Sequence, residues 1–227
     1  MSTKVALGAG AVALLHASAA AARSAKLLVF VQTGIKQRAL QQLLQYALPN
    51  LSVTTVGRVA DFGRGLAEGQ DAILTLPIVM NARGIAPQVL GRRGGANDEP
   101  YSLVGANGPP AVASLRTVGA IDMLDRAGTN ALVQNLVGKP VKVERVTKVE
   151  DLLPLLQLSR ADAVLLPSRL FSDLKATSSL NLEQRELPMR LGLPALASVG
   201  ASGAEAVAQA SKLTGKAAQL LGVDSWS

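Results

Sequence analysis

Cysteine is absent from the 227 residues, and the single histidine, His16, lies close to the amino terminus. Without thiols there is no disulfide framework, no thiol nucleophile and no lipid-modified amino-terminal Cys. Without imidazole beyond residue 16, Ser-His-Asp and Cys-His nucleophilic sites and the usual zinc sites are excluded from the rest of the chain. Nothing in the sequence calls for a cofactor or a metal, and only enzymes that run on carboxylates or lysine survive the exclusion. Aromatic residues make up 3% of the chain, and the basic residues are scattered rather than gathered in a stripe, which argues against nucleic acid as a partner. Charged residues are also few, 17% against 48% hydrophobic, a balance that supplies a globular core.

What is present begins with an unusual amino terminus. Lys4 is followed by an uncharged, Ala-rich run from Val5 to Ala22, in which Ala17-Ser18-Ala19 and Ala20-Ala21-Ala22 offer small-x-small cleavage sites. Residues 1–22 read as a cleaved secretory signal peptide, since the run is short and weakly apolar for a membrane anchor. Its removal takes Lys4 and leaves 22 basic against 16 acidic residues, a net charge of +6. That charge suits an anionic ligand or an anionic membrane surface, or serves solubility alone.

The chain is organised around an internal echo. Asp71-Ala72-Ile73-Leu74-Thr75-Leu76-Pro77 returns 91 positions later as Asp162-Ala163-Val164-Leu165-Leu166-Pro167. Each is an apolar run opened by an acid and closed by proline, the pattern of a strand buried on both faces of a parallel sheet. Ten residues before the first comes Val59-Ala60-Asp61, and eleven before the second comes Val149-Glu150-Asp151. Upstream, Leu27 to Val31 with the turn Gln32-Thr33-Gly34 matches Thr117 to Ile121 with the turn ending in Gly128-Thr129-Asn130. The reading is two copies of a strand-helix-strand-helix-strand unit, an α/β chain with two lobes, each a mostly parallel sheet flanked by helices.

In order, Lys26 to Gln32 reads as a strand, Lys36 to Leu48 as a helix with apolar positions at Ala39, Leu40, Leu43, Leu44 and Ala47, Leu51 to Val56 as a strand and Val59 to Glu68 as a helix. Gly91 to Pro100 reads as a polar, glycine-rich surface loop, and Ala106-Asn107-Gly108-Pro109-Pro110 as the linker where the chain first crosses between lobes. Lys142 to Thr147 is the next strand, Lys148 to Leu158 a helix with a kink at Pro154, and Ala195 to Val199 a strand returning to the first lobe. Ala204 to Leu221 reads as one closing helix. The first lobe is then residues 26–108 with about 195–227, and the second residues 109–194.

The order and spacing of these segments, with Tyr101-Ser102-Leu103-Val104-Gly105 and Val118-Gly119-Ala120-Ile121-Asp122, resemble the type 2 periplasmic solute-binding proteins, and within them the phosphate/phosphonate-type binding proteins of ABC transporters. The resemblance spans most of residues 26–200. Two departures stand out: Asp125-Arg126-Ala127-Gly128-Thr129-Asn130 occupies the place of a Ser-x-Ser-Gly-like turn, and the chain is short for the fold.

The resemblance implies a cleft between the lobes. Ligands bind at the carboxyl ends of parallel strands, where helix amino termini present free N–H groups. The turns Gln32 to Ile35 and Ala127 to Asn130 are then expected to line one cleft, with Gln32, Thr33, Gly34, Gly128, Thr129 and Asn130 as ligand-binding residues. Thr129 and Asn130 are equally suited to capping their helix. Thr75 and Ser168, at equivalent strand ends, are expected to face the same cleft, and Arg126 to meet an oxyanion. The expected function is capture of a small oxyanionic solute, phosphate- or phosphonate-like, for the inner-membrane permease of an ABC transporter, in the periplasm. The alternatives are the same fold as a sensor or protein-interaction module, and an exported enzyme built on Asp122 and Asp125.

Overall fold

The computed structural model describes residues 24–227, so the expected signal peptide and His16 lie outside the described residues. The elements run β1 (Ala25–Phe30), α1 (Gln37–Ala47), β2 (Leu51–Thr55), α2 (Val59–Ala67), β3 (Ala72–Thr75), α3 (Pro77–Asn81), β4 (Val89–Arg92) and β5 (Asp98–Ala106). They continue through β6 (Thr117–Ile121), α4 (Arg126–Val137), β7 (Lys142–Val146), α5 (Leu152–Gln157), β8 (Ala163–Pro167) and α6 (Phe171–Ala176). The chain ends with β9 (Leu182–Gly192), β10 (Ala195–Ser198), α7 (Gly203–Ala210), α8 (Gly215–Leu221) and β11 (Ser225–Trp226).

The strands form two sheets, ordered β2-β1-β3-β10-β4-β11 and β7-β6-β8-β5-β9. In the first, β1 lies parallel between β2 and β3; in the second, β6 lies parallel between β7 and β8. The repeated unit is therefore present twice, with its first strand central each time. The unbroken apolar run of β1 follows from burial on both faces. Leu28 and Phe30 pack with Phe62 of α2 and Val79 of α3, while Leu27 and Val29 pack with Leu40 and Leu44 of α1 and Val207 of α7. The first of these clusters continues into Ile121, Met123, Leu152 and Leu166 beside the second sheet, so apolar packing joins the two halves.

The acid that opens each echo has the same structural task. The Asp71 N–H donates to Lys26 O at 3.0 Å, and its carboxylate accepts from the Lys26 N–H at 2.9 Å. The Asp162 N–H donates to Thr117 O at 2.9 Å, and its carboxylate accepts from Thr117 and Arg116 N–H at 2.8 and 2.7 Å. Each clasp fixes where the third strand of a unit meets the first.

Glutamines hold α1 in place. The outer edge of β2 is unpaired by any strand, and Gln37, Gln41 and Gln45, one turn apart, cover it with their carboxamides. Gln45 accepts from Val53 N–H at 3.0 Å and donates to Leu51 O at 2.7 Å. Gln41 accepts from Thr55 N–H at 3.3 Å, and Gln37 donates to Thr55 O. An exposed strand edge is thus blocked, and the first turn of α1 is brought to the end of β1.

Four expectations change. Gly91 to Pro100 is not a free loop: Gly91 and Arg92 pair with Trp226 and Ser225, and the Gly94 N–H donates to the Asp224 carboxylate at 2.8 Å. A side chain at Gly91 would collide with Val223 and the Pro194 carbonyl, so the glycine permits this pairing. The passage between sheets falls at residues 93–97 rather than at 106–110, because β5 pairs with β8 and β9 in the second sheet. The return passes beside it, with the Leu193 N–H donating to Asn97 O at 2.9 Å. Pro154 makes no kink, since α5 begins at Leu152 and a proline in the first turn has no helical N–H to lose. The closing helix is two helices separated by residues 211–214.

The Asp162 carboxyl is held below its ordinary pKa, chiefly by the Thr117 N–H bond and also by Arg116, against a smaller opposing effect of burial. A depressed carboxyl pKa gives stability that is present above the unfolded value and lost as pH falls through the folded one. Asp162→Ala is expected to cost about 1 kcal/mol, reduced by its solvent exposure, and to lower the thermal midpoint by about 2–4 °C. The difference from the parent chain should shrink in acid, below the usual carboxylate range; an equal difference at all pH values would refute the role of the charge.

Candidate functional site

The carboxyl ends of β1 and β2 in one sheet and of β6 and β7 in the other converge on a cleft of about 480 Å³. Phe30 to Thr33, Ile35 to Gln37, Leu40, Val56 and Gly57 form one side; Ile121, Met123 and Thr147 to Glu150 form the other. In parallel sheets this is where successive connections diverge and leave room for a ligand, and here two such ends face each other.

The turn after β1 is shaped locally. The Thr33 hydroxyl donates to Ile35 O at 3.1 Å, which folds the chain back so that Lys36 leads into α1. Gln32 is anchored from the second sheet. The Tyr101 hydroxyl donates to Gln32 Oε1 at 3.4 Å, and Arg169 Nη2 donates to Gln32 O at 3.1 Å. Arg169 in turn lies with Nε 3.3 Å from Glu99 Oε1 and 3.0 Å from Oε2, with side chains only 9% and 5% exposed. Burial pushes the Glu99 carboxyl up, against the opposing pull of Arg169, Arg93 and Arg190. Burial also drives the Tyr101 phenol far above its usual range, so it remains a hydroxyl donor. With both Gln32 oxygens accepting from these partners, its carboxamide NH₂ has no protein partner among the described residues.

Two of the expected site residues, Gln32 and Thr33, line the cleft. The others lie elsewhere. Thr75 is fully buried and donates to Phe30 O at 2.6 Å, so its hydroxyl is used within the first sheet. Ser168 shares a hydrogen bond of 2.7 Å with Ser102. Gly34 faces Asp173 of α6. Arg126 is exposed at the start of α4. The Gly128 N–H donates to Asp125 Oδ1 at 2.6 Å, making Asp125 the helix cap. Thr129 is buried, donates to Asp122 Oδ1 at 2.8 Å and accepts from Leu124 N–H at 3.1 Å. It lines a cavity of about 20 Å³ that also touches Gln32 and Tyr101. Asn130 Oδ1 is buried without a hydrogen-bond partner among the described residues.

The physical reason is that the two turns are not equivalent. After β1 the turn is open; after β6 the acids Asp122 and Asp125 consume its hydroxyl and N–H donors. Asp122 is further bonded to Arg145 Nη1 at 2.7 Å. Both carboxylates, Asp122 and Asp125, thus accept hydrogen bonds from neighbouring groups. The second wall comes instead from Thr147, Lys148 and Glu150 after β7, which the sequence reading missed, as it missed Lys36 and Gln37. The available signal was positional: Thr147 and Lys148 follow β7 as Val56 and Gly57 follow β2.

No model of a known protein family matches the sequence, and no curated protein matches it. Solved structures do share the fold. A double mutant of the Bordetella pertussis BvgS VFT2 domain superposes with a TM-score of 0.60 at 15% identity, over 88% of this chain and 93% of that one. The substrate binding protein of an amino acid ABC transporter gives 0.56 at 11% identity, over 82% and 89%. The GluR0 ligand binding core in complex with L-glutamate gives 0.55 at 14%, over 84% and 91%. The fold is that of the type 2 periplasmic binding proteins, two helix-flanked sheets; these likenesses support that fold and not the phosphate/phosphonate type.

Breaking the Arg169–Glu99 pair from one side leaves a buried charge alone, so Arg169→Met is expected to cost about 3–5 kcal/mol in denaturant unfolding. Adding Glu99→Gln should recover more than half of that loss. Additive losses in the double variant would show that the two side chains do not act as a pair.

Proposed function

We propose that this chain is a periplasmic solute-binding protein that captures a small anionic solute in the cleft between its sheets and presents it to an inner-membrane permease. The observation that carries the reading is the cleft itself, placed where the parallel parts of two mixed sheets turn their carboxyl ends toward each other and sized for a small molecule, within the range of about 300–1,000 Å³ typical of ligand pockets. The similar folds whose descriptions name a substrate-binding protein or a bound amino acid support binding rather than turnover. Lys36 and Lys148 in the lining support a negative charge on the solute. Eight of the sixteen lining residues are apolar, Phe30, Val31, Ile121, Met123 and Val149 among them, which favours an organic solute over phosphate or phosphonate. The paired passages at 93–97 and 193–194 supply the hinge about which the sheets would close.

A thermal-shift panel of amino acids, organic acids, sugars and inorganic oxyanions tests it. A solute at 100 times its dissociation constant adds about 2.7 kcal/mol, a rise of about 5–10 °C. Lys36→Met combined with Lys148→Met should abolish the rise while the unliganded midpoint moves by no more than about 2 °C, as exposed substitutions do. Binding by no compound of the panel would contradict solute capture.

A further inference from the structure

We infer that the solute is an organic carboxylate with an aliphatic body and no ammonium group, an inference that rests on the cleft being a solute site. It follows from which polar groups in the cleft are already engaged. Both acceptors of Gln32 are engaged, its backbone O by Arg169 at 3.1 Å and its Oε1 by Tyr101 at 3.4 Å. Both bonds come from the side of the second sheet. The nearest acid by sequence, Asp122, stands between the lining residues Ile121 and Met123 yet is itself absent from the lining. Its two oxygens are bound by Thr129 at 2.8 Å and Arg145 at 2.7 Å. An ammonium entering the cleft floor therefore meets no free carboxylate there.

The donors are left over. The Gln32 NH₂ is unpaired among the described residues, and the Lys36 ammonium has no carboxylate within ion-pair distance among them. Lys148 reaches only Glu150, at 3.9 Å, with the two side chains 62% and 52% exposed. Such an exposed pair contributes little and is readily exchanged for a ligand carboxylate. Glu150 is the one acid of the lining, against two lysines, and its carboxylate faces Lys148. A carboxylate can accept from each of these donors, Gln32, Lys36 and Lys148, and charge-assisted hydrogen bonds are the strong ones. The apolar walls then take an aliphatic chain, and only Phe30 offers a ring, which disfavours aromatic or sugar bodies that bind by stacking.

The test uses matched pairs that differ only by the α-ammonium, titrated calorimetrically into the full chain at low salt: 4-methylpentanoate against L-leucine, and butanoate against 2-aminobutanoate, with phosphate and methylphosphonate as inorganic-type anions. The expected result is that each carboxylate binds at least tenfold tighter than its amino acid and than either oxyanion. Lys36→Met should weaken the carboxylate at least tenfold, and Glu150→Gln should tighten it by removing a like charge. Equal or tighter binding of the amino acids, or loss of carboxylate binding in Glu150→Gln, overturns the inference while leaving the cleft as a solute site. Preference for phosphate or methylphosphonate overturns it in the same way. Absence of binding by every compound overturns the cleft reading and this inference with it.

Discussion

Two carboxylates fix the geometry on which everything else depends. Asp71 and Asp162 each bond the backbone at the start of the first strand of their unit, donating to and accepting from the same residue, Lys26 in one case and Thr117 in the other. Parallel strands have no hairpin to set their register, so a side chain must help to do it. Beyond these pinned entries, the carboxyl ends of β1, β2, β6 and β7 line the cleft.

The two halves are nevertheless tied by different means. Apolar packing from Phe30 and Phe62 through to Ile121 and Leu152 supplies area without direction. Direction comes from polar groups. Arg169, buried and paired with Glu99, reaches across to the backbone of Gln32, and Tyr101 fixes the same residue's side chain. A buried ion pair adds little net stability, but it specifies one arrangement because every other arrangement strands a charge. Gln32 is the place where the second sheet reads the position of the first.

Much of the fold was legible because it is written in periodicity. The runs Leu27 to Phe30 and Ile73 to Thr75 are buried on both faces and so lack alternation, and the stripe Leu40, Leu43, Leu44 is a plain helical face. The acids of the echo were visible as a repeated feature, though their work as backbone clasps was not. What escaped depends on contacts distant in sequence. Gly91 to Pro100 has loop composition, and only its pairing with Ser225 and Trp226 makes it a strand passage. The long β9 carries Pro188 and charged residues because it is an edge, which hides it from a reading that looks for buried strands. Of the expected ligand residues, Gln32 and Thr33 line the cleft because their turn is open, while Gly128 and Thr129 are engaged by Asp125 and Asp122. Lys36, Thr147 and Lys148 carry no motif and are recognisable only once two strand ends are seen face to face.

The central claim is that one solute is held by both sheets at once, between the end of β1 and the loop after β7. A crystal structure grown with the compound that most raises the thermal midpoint tests this most directly. The account predicts density in the cleft within hydrogen-bond distance of Gln32 or Lys36 on one side and of Thr147 or Lys148 on the other. Density bound to one sheet alone, or at the turn Asp125 to Asn130, would contradict it.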